Sequence, residues 1–89
     1  MNNNSQIKLL QGTEIKPNLN ILPSLWDIPH TIKHTDTIYK LSNRYYNNSN
    51  LGKLIMYRNP ELMNEFDIYP GMIIYIPMPL QRLTKYMNI

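Results

Sequence analysis

The chain has 89 residues, no cysteine, and nine Lys and Arg against six Asp and Glu, for a formal charge of +3. That length supports one domain, and the missing cysteine excludes disulfides and thiolate metal sites. No apolar run approaches the roughly 20 residues needed to span a bilayer, and the N-terminus lacks the basic-then-apolar pattern of an export signal. The basic residues are scattered, whereas nucleic-acid binders concentrate them, so neither a membrane nor a nucleic acid is expected as a partner. Alanine and valine are absent, so any core is built from Ile, Leu, Met and aromatic rings.

Residues 1–28 begin with a polar Asn-rich run and carry Gly12, Pro17 and Pro23. The segment Ile21-Leu22-Pro23-Ser24-Leu25-Trp26 is apolar but broken by proline, which excludes an independent helix or a central strand. Its large apolar groups argue against disorder. The expectation is an extended arm whose Ile21, Leu22, Leu25 and Trp26 lie on the domain or on a neighbour. Trp26 reads either as internal packing or as an interface anchor, since tryptophan is enriched at binding hot spots.

Ile28 to His34 fits a short strand, with Ile32 facing inward and Pro29 at its margin. Either Thr35 or Asp36 can cap the helix that follows, and Asp36 also suits the positive end of its dipole. The helix is predicted over 37–46, with Ile38, Leu41, Ser42 and Tyr45 inward and Tyr39, Lys40, Asn43 and Arg44 outward. Asn47 to Asn50 is a turn by composition, and Asn50 caps a second helix over 51–58, with Leu51, Leu54 and Ile55 inward. Gly52 weakens that helix by about 1 kcal/mol relative to alanine; a close contact is one reason for it. Pro60 turns Asn59 away from helical angles, so the helix stops there, and residues 60–65 form a loop or a single turn.

Pro70-Gly71 is the centre of a tight turn, with proline presetting the first angle and glycine accepting positive φ. Met72 to Ile76 then reads as a strand stopped by Pro77. Met72, Ile74 and Ile76 share one face, Ile73 and Tyr75 the other, and both faces are apolar. The order is strand, helix, helix, strand. Neither helix is long enough to be stable alone, so both must lie on one face of an antiparallel pair formed by the two strands. The Ile73 and Tyr75 face is then left without cover, which points to a binding role. In the tail, residues 78–89, Leu80, Leu83 and Met87 recur at helical spacing, giving either a short amphipathic helix or a frayed end.

No catalytic constellation emerges. His30 and His34 on a strand stand roughly 13 Å apart, too far to share one ion, and read as surface histidines. Glu61, Glu65 and Asp67 supply too few oxygens at defined intervals for calcium. There is no phosphate-binding glycine loop, nucleophile elbow or cysteine nucleophile. The chain reads as a non-enzyme without metal or cofactor. Thr35-Asp36-Thr37 and Phe66-Asp67-Ile68-Tyr69 fall on loops that this topology makes neighbours. Together they offer hydrogen-bonding groups and an aromatic surface, the contents of a shallow ligand groove.

The run from Thr31 through Tyr46, then Asn59-Pro60, then Ile68 through Pro77, resembles a LysM domain. The resemblance implies an α+β fold, β-α-α-β, with a two-stranded antiparallel sheet and two helices packed on one face. It places that domain at 29–77, between an N-terminal arm, 1–28, and a C-terminal tail, 78–89. Thr35 stands where the family usually has glycine. LysM domains commonly bind N-acetylglucosamine polymers such as peptidoglycan or chitin, and Thr35, Asp36, Thr37, Asp67, Ile68 and Tyr69 match the usual groove. The proline-broken lead-in, Tyr45-Tyr46, Leu51 and Asn59-Pro60 are also similar to small LysM-containing baseplate wedge proteins of contractile-tailed phages, although Gly52 replaces a residue that is often bulky there. That narrower resemblance implies a structural virion component, present in several copies in a symmetric assembly and found in the host cytoplasm while it assembles. It would join neighbouring tail proteins through Leu22, Leu25, Trp26, Ile73, Tyr75, Leu80 and Leu83. A glycan-binding module is the alternative.

Overall fold

The computed structural model describes residues 19–88. The first eighteen residues of the expected arm, and Ile89, lie outside the described residues. Strand β1 (Ile28–Thr31) pairs antiparallel with β2 (Ile73–Ile76), in a register that sets Ile28 opposite Ile76 and His30 opposite Ile74. The bonding runs on beyond the strands, from Ile32 N–H to Met72 C=O at 2.8 Å and from Gly71 N–H to Ile32 C=O at 2.8 Å. The turn at Pro70-Gly71 forms as the sequence predicts. Met72 N–H bonds Tyr69 C=O at 3.1 Å, and Gly71 has φ 91°, a left-handed angle that a β-carbon would strain. β1 stops at Thr31, short of the expected His34, because Lys33 N–H bonds the Asp36 carboxylate at 2.8 Å and Asp36 N–H bonds Lys33 C=O at 2.9 Å. Those bonds close a turn.

Helix α1 (Ile38–Tyr46) is capped by Thr37, whose hydroxyl accepts from Lys40 N–H at 3.0 Å. Neither Thr35 nor Asp36 caps it, since the Asp36 carboxylate is turned back toward Lys33. Ile38, Leu41, Ser42 and Tyr46 are buried, while Tyr45 is only half-buried. The inward stripe thus ends on Tyr46 rather than Tyr45. The reason is polar: the Tyr46 hydroxyl donates to Pro77 C=O at 2.8 Å inside the fold. Burial pushes the Tyr46 hydroxyl well above its usual pKa, so it stays a donor. Asn47 ends the helix at φ 56°, with its N–H on Asn43 C=O. A short 3₁₀ turn (Ser49–Leu51) follows, capped by Asn48 through Asn50 N–H rather than by Asn50 itself.

Helix α2 (Gly52–Arg58) buries Leu54, Ile55 and Tyr57, and Leu51 is half-buried. A β-carbon at position 52 would come within 2.7 Å of Ile38 Cγ2, so Gly52 marks the close contact between the starts of the two helices. Asn59, 1 % exposed, closes the helix and serves the sheet. Its side-chain N–H donates to Tyr75 C=O at 2.8 Å, and its carbonyl accepts from Tyr75 N–H at 2.9 Å. Pro29 and Tyr75 are a non-hydrogen-bonded pair of the ladder, so the Tyr75 N–H and C=O point away from β1 to the open edge. Asn59 therefore stands where a third strand would, and it removes part of an exposed edge.

The flanks pack onto this frame. Ile21 is buried, with its N–H on Tyr57 C=O at 3.0 Å. Residues Leu80–Tyr86 form a 3₁₀ helix in which Leu83 is fully buried and Leu80 is half-buried against the core. Leu83, expected on a partner interface, instead fills the molecule's own interior, and Leu80, expected there too, packs partly against that core. A fully buried leucine is worth roughly 1.5–3 kcal/mol. The side chain of Asp27, 2 % exposed, joins both flanks. It accepts from Arg58 Nε at 2.6 Å, Arg82 Nη2 at 2.9 Å, Met78 N–H at 3.0 Å and Ser24 N–H at 3.0 Å. Burial alone would raise its pKa, but bonds from Arg58, Met78, Ser24 and Arg82 outweigh that and hold it below the ordinary carboxylate range.

Candidate functional site

The turn after β1 and the loop before β2 enclose an open groove of about 390 Å³. One wall is the start of α1, with Asp36, Thr37, Ile38 and Tyr39; the other is Glu65, Phe66 and Ile68. The fold brings these walls together because β1 and β2 are paired, which sets the chain leaving β1 beside the chain entering β2. Tyr39 and Phe66 are exposed, Phe66 at 84 %, although both rings are large and apolar. Neither ring belongs to the hydrophobic core formed by the described residues.

Of the expected groove residues, Asp36, Thr37 and Ile68 line the groove, whereas Thr35, Asp67 and Tyr69 do not. The polar groups among them are mostly engaged already. Asp36 accepts from Lys33 N–H and bonds His30 Nε2 at 2.9 Å, with Arg44 at 4.0 Å, and its side chain is 3 % exposed. Burial would raise the Asp36 pKa, but the bonds from His30 and Lys33 N–H, with the charges of His30 and Arg44, hold it below the usual range. Asp67 accepts from Met63 N–H at 2.7 Å and Asn64 N–H at 3.1 Å, so it shapes its own loop. Thr37 is committed to its cap. The turn at His34-Thr35 closes without a left-handed residue, so threonine serves where glycine is usual.

His30 departs from the surface position expected for it. It is buried because it shares the inward side of β1 with Ile28 and Ile32. The Asp36 carboxylate can only accept, so His30 Nε2 carries the proton, and in the neutral ring Nδ1 accepts from the Tyr45 hydroxyl at 2.9 Å. The Tyr45 ring meets the imidazole edge-on at 5.7 Å. This set ties β1, the turn and α1 together and holds Asp36, the one member of it that lines the groove. His34 is exposed. Among the described residues no group of three or more His, Cys, Asp or Glu side chains could hold a metal, and no helix is long and apolar enough to cross a membrane.

Tyr39 and Glu65 are the lining residues that sequence patterns pass over. A tyrosine on the outer side of a helix, one residue into it, is a usable signal only once the facing wall is known. A second exposed apolar area lies elsewhere. Ser24 to Asp27 form a turn, with Asp27 N–H on Ser24 C=O at 3.1 Å and Trp26 N–H on the Ser24 hydroxyl at 3.1 Å. Leu22, Leu25 and Trp26 project from it into solvent. Ile73 and Tyr75 are exposed on the outer face of β2, where the Arg58 guanidinium sits 4.8 Å above the Tyr75 ring.

No curated protein shows significant similarity to the chain. The family model described as LysM domain matches residues 30–77, just over half of the chain.

Proposed function

The chain belongs to the LysM domain family, and from that premise we propose that it is a binding module for N-acetylglucosamine polymers, taken up in the groove between α1 and the 65–68 loop. Domains of this family bind rather than catalyse, so no reaction is assigned. The observation that carries the reading is the pair of exposed rings, Tyr39 and Phe66, lining a groove whose Asp36 is held in place by its bond to His30. Apolar sugar faces stack on such rings, and hydroxyl and acetamido groups reach the backbone between them. Titration of the ¹⁵N-labelled chain with chitotetraose tests it. Shifts confined to Thr37, Ile38, Tyr39, Phe66 and Ile68 are expected. An unchanged spectrum at millimolar sugar ends the reading.

A second reading is supported by the 24–27 turn. There the chain is a structural piece of a phage tail or baseplate, in which Leu22, Leu25, Trp26, Ile73 and Tyr75 join neighbouring tail proteins. Its support is that Asp27, Arg58 and Arg82 fix a turn whose apolar tip has no partner within the described residues. A rigid apolar tip loses little entropy on docking. In a tail particle assembled with this chain, the tip would lie beneath a neighbouring subunit. Trp26 facing water there would discard this reading.

A further inference from the structure

Glu65 is exposed on one wall of the groove and takes no part in the ion pairs that Asp27 and Asp36 make among the described residues. The other carboxylate of the lining, Asp36, is compensated. Its side chain is buried, bonded to His30 and to Lys33 N–H, with the Arg44 guanidinium 4.0 Å away. Among the described residues no Lys or Arg lines the groove. The nearby Lys40 ammonium bonds Thr35 C=O at 3.2 Å, outside the lining. What remains among the described residues is one negative charge without an ion-pair partner next to two exposed aromatic rings, the combination that accepts a cationic group.

We propose that Glu65 is a specificity-determining residue that makes the groove prefer glucosamine polymers with free amino groups, partly or wholly de-N-acetylated, over fully acetylated or anionic glycans. The inference rests on the glycan-binding reading above. A protonated amine on the ring stacked at Tyr39 and Phe66 would lie within reach of the Glu65 carboxylate, whereas an acetamido group gains nothing from that charge and a sugar carboxylate is repelled. The preference would be local, because the chain as a whole is cationic and repels a polyamine at long range.

The test compares chitotetraose with the fully de-N-acetylated glucosamine tetramer by calorimetry, using the whole chain and its Glu65→Gln variant at about pH 6, where a sugar amine is protonated. The glucosamine tetramer is expected to bind about fivefold more tightly than chitotetraose at low salt, a ratio that shrinks as salt screens the pair. Glu65→Gln is expected to abolish the ratio, lowering affinity for the glucosamine tetramer about fivefold more than it alters affinity for chitotetraose. Equal or weaker binding of the glucosamine tetramer, with chitotetraose still bound, overturns this inference and leaves the glycan reading standing. A preference that survives Glu65→Gln also overturns it. If neither tetramer binds, both readings fall.

Discussion

Asp27 and Glu65 are carboxylates at different places in one small molecule, and their surroundings are opposite. Asp27 is buried beneath two guanidiniums and two backbone N–H groups, so every lone pair has a donor. Glu65 is exposed beside Phe66 and has no ion-pair partner among the described residues. The first arrangement holds the two flanks on the frame. The second leaves charge and apolar surface for something outside the molecule. In a domain this small, satisfied polar groups mark where the fold is held, and unsatisfied surface marks where it binds.

Substitutions should separate the two regions. The largest effect is expected from Asp27→Ala, which strands Arg58, Arg82 and the Met78 and Ser24 N–H groups. Unfolding in urea should show a loss of about 3 kcal/mol, moderated because both guanidiniums keep some access to water. Residual chitotetraose binding by the folded fraction should be unchanged. Leu83→Ala empties a fully buried site and should cost about 2–3 kcal/mol by the same measurement. If it costs nothing, the tail is not part of the folded unit.

Acid probes both regions at once. The folded pKa values of Asp27 and Asp36 are depressed, so the stability each contributes is fully present above the ordinary carboxylate pKa of about 4 and is lost as pH falls through the lower folded value. The urea midpoint should therefore hold from neutrality to about pH 5 and drop on going to about pH 3. Asp27→Asn should flatten part of that drop. The smallest effect on stability is expected from Phe66→Ala, within about 0.5 kcal/mol, because the ring is exposed. The same variant should lower chitotetraose affinity by roughly tenfold, as for other exposed stacking rings at binding sites.

Much of the frame can be read along the chain because its signals are local. The alternation in Ile73 to Ile76, the Pro70-Gly71 turn and the apolar spacing of Ile38, Leu41, Leu54 and Ile55 each act over a few residues. Their order then leaves few ways to cover the sheet. Where these signals conflict with longer-range bonds, the latter win. Tyr46 displaces Tyr45 from the inward stripe to reach Pro77, thirty-one residues away. Asp36 gives up capping for the Lys33 turn and the His30 ring. The groove is half visible: its two loops can be named, but Asp36, Asp67 and Thr37 have their side chains occupied at home, while Tyr39 and Glu65 line it.

The sequence alone determined the strand-helix-helix-strand order, the positive-φ turn at Gly71 and the outward apolar side of β2, since each follows from the chemistry of adjacent residues. Folding in three dimensions was needed to make Asp27 gather Ser24, Arg58, Met78 and Arg82, to bury Leu83, and to bring Phe66 and Glu65 into one groove with Tyr39. Those contacts join residues up to fifty-five positions apart, and no local pattern records which distant groups will meet when loop closure and burial are settled together.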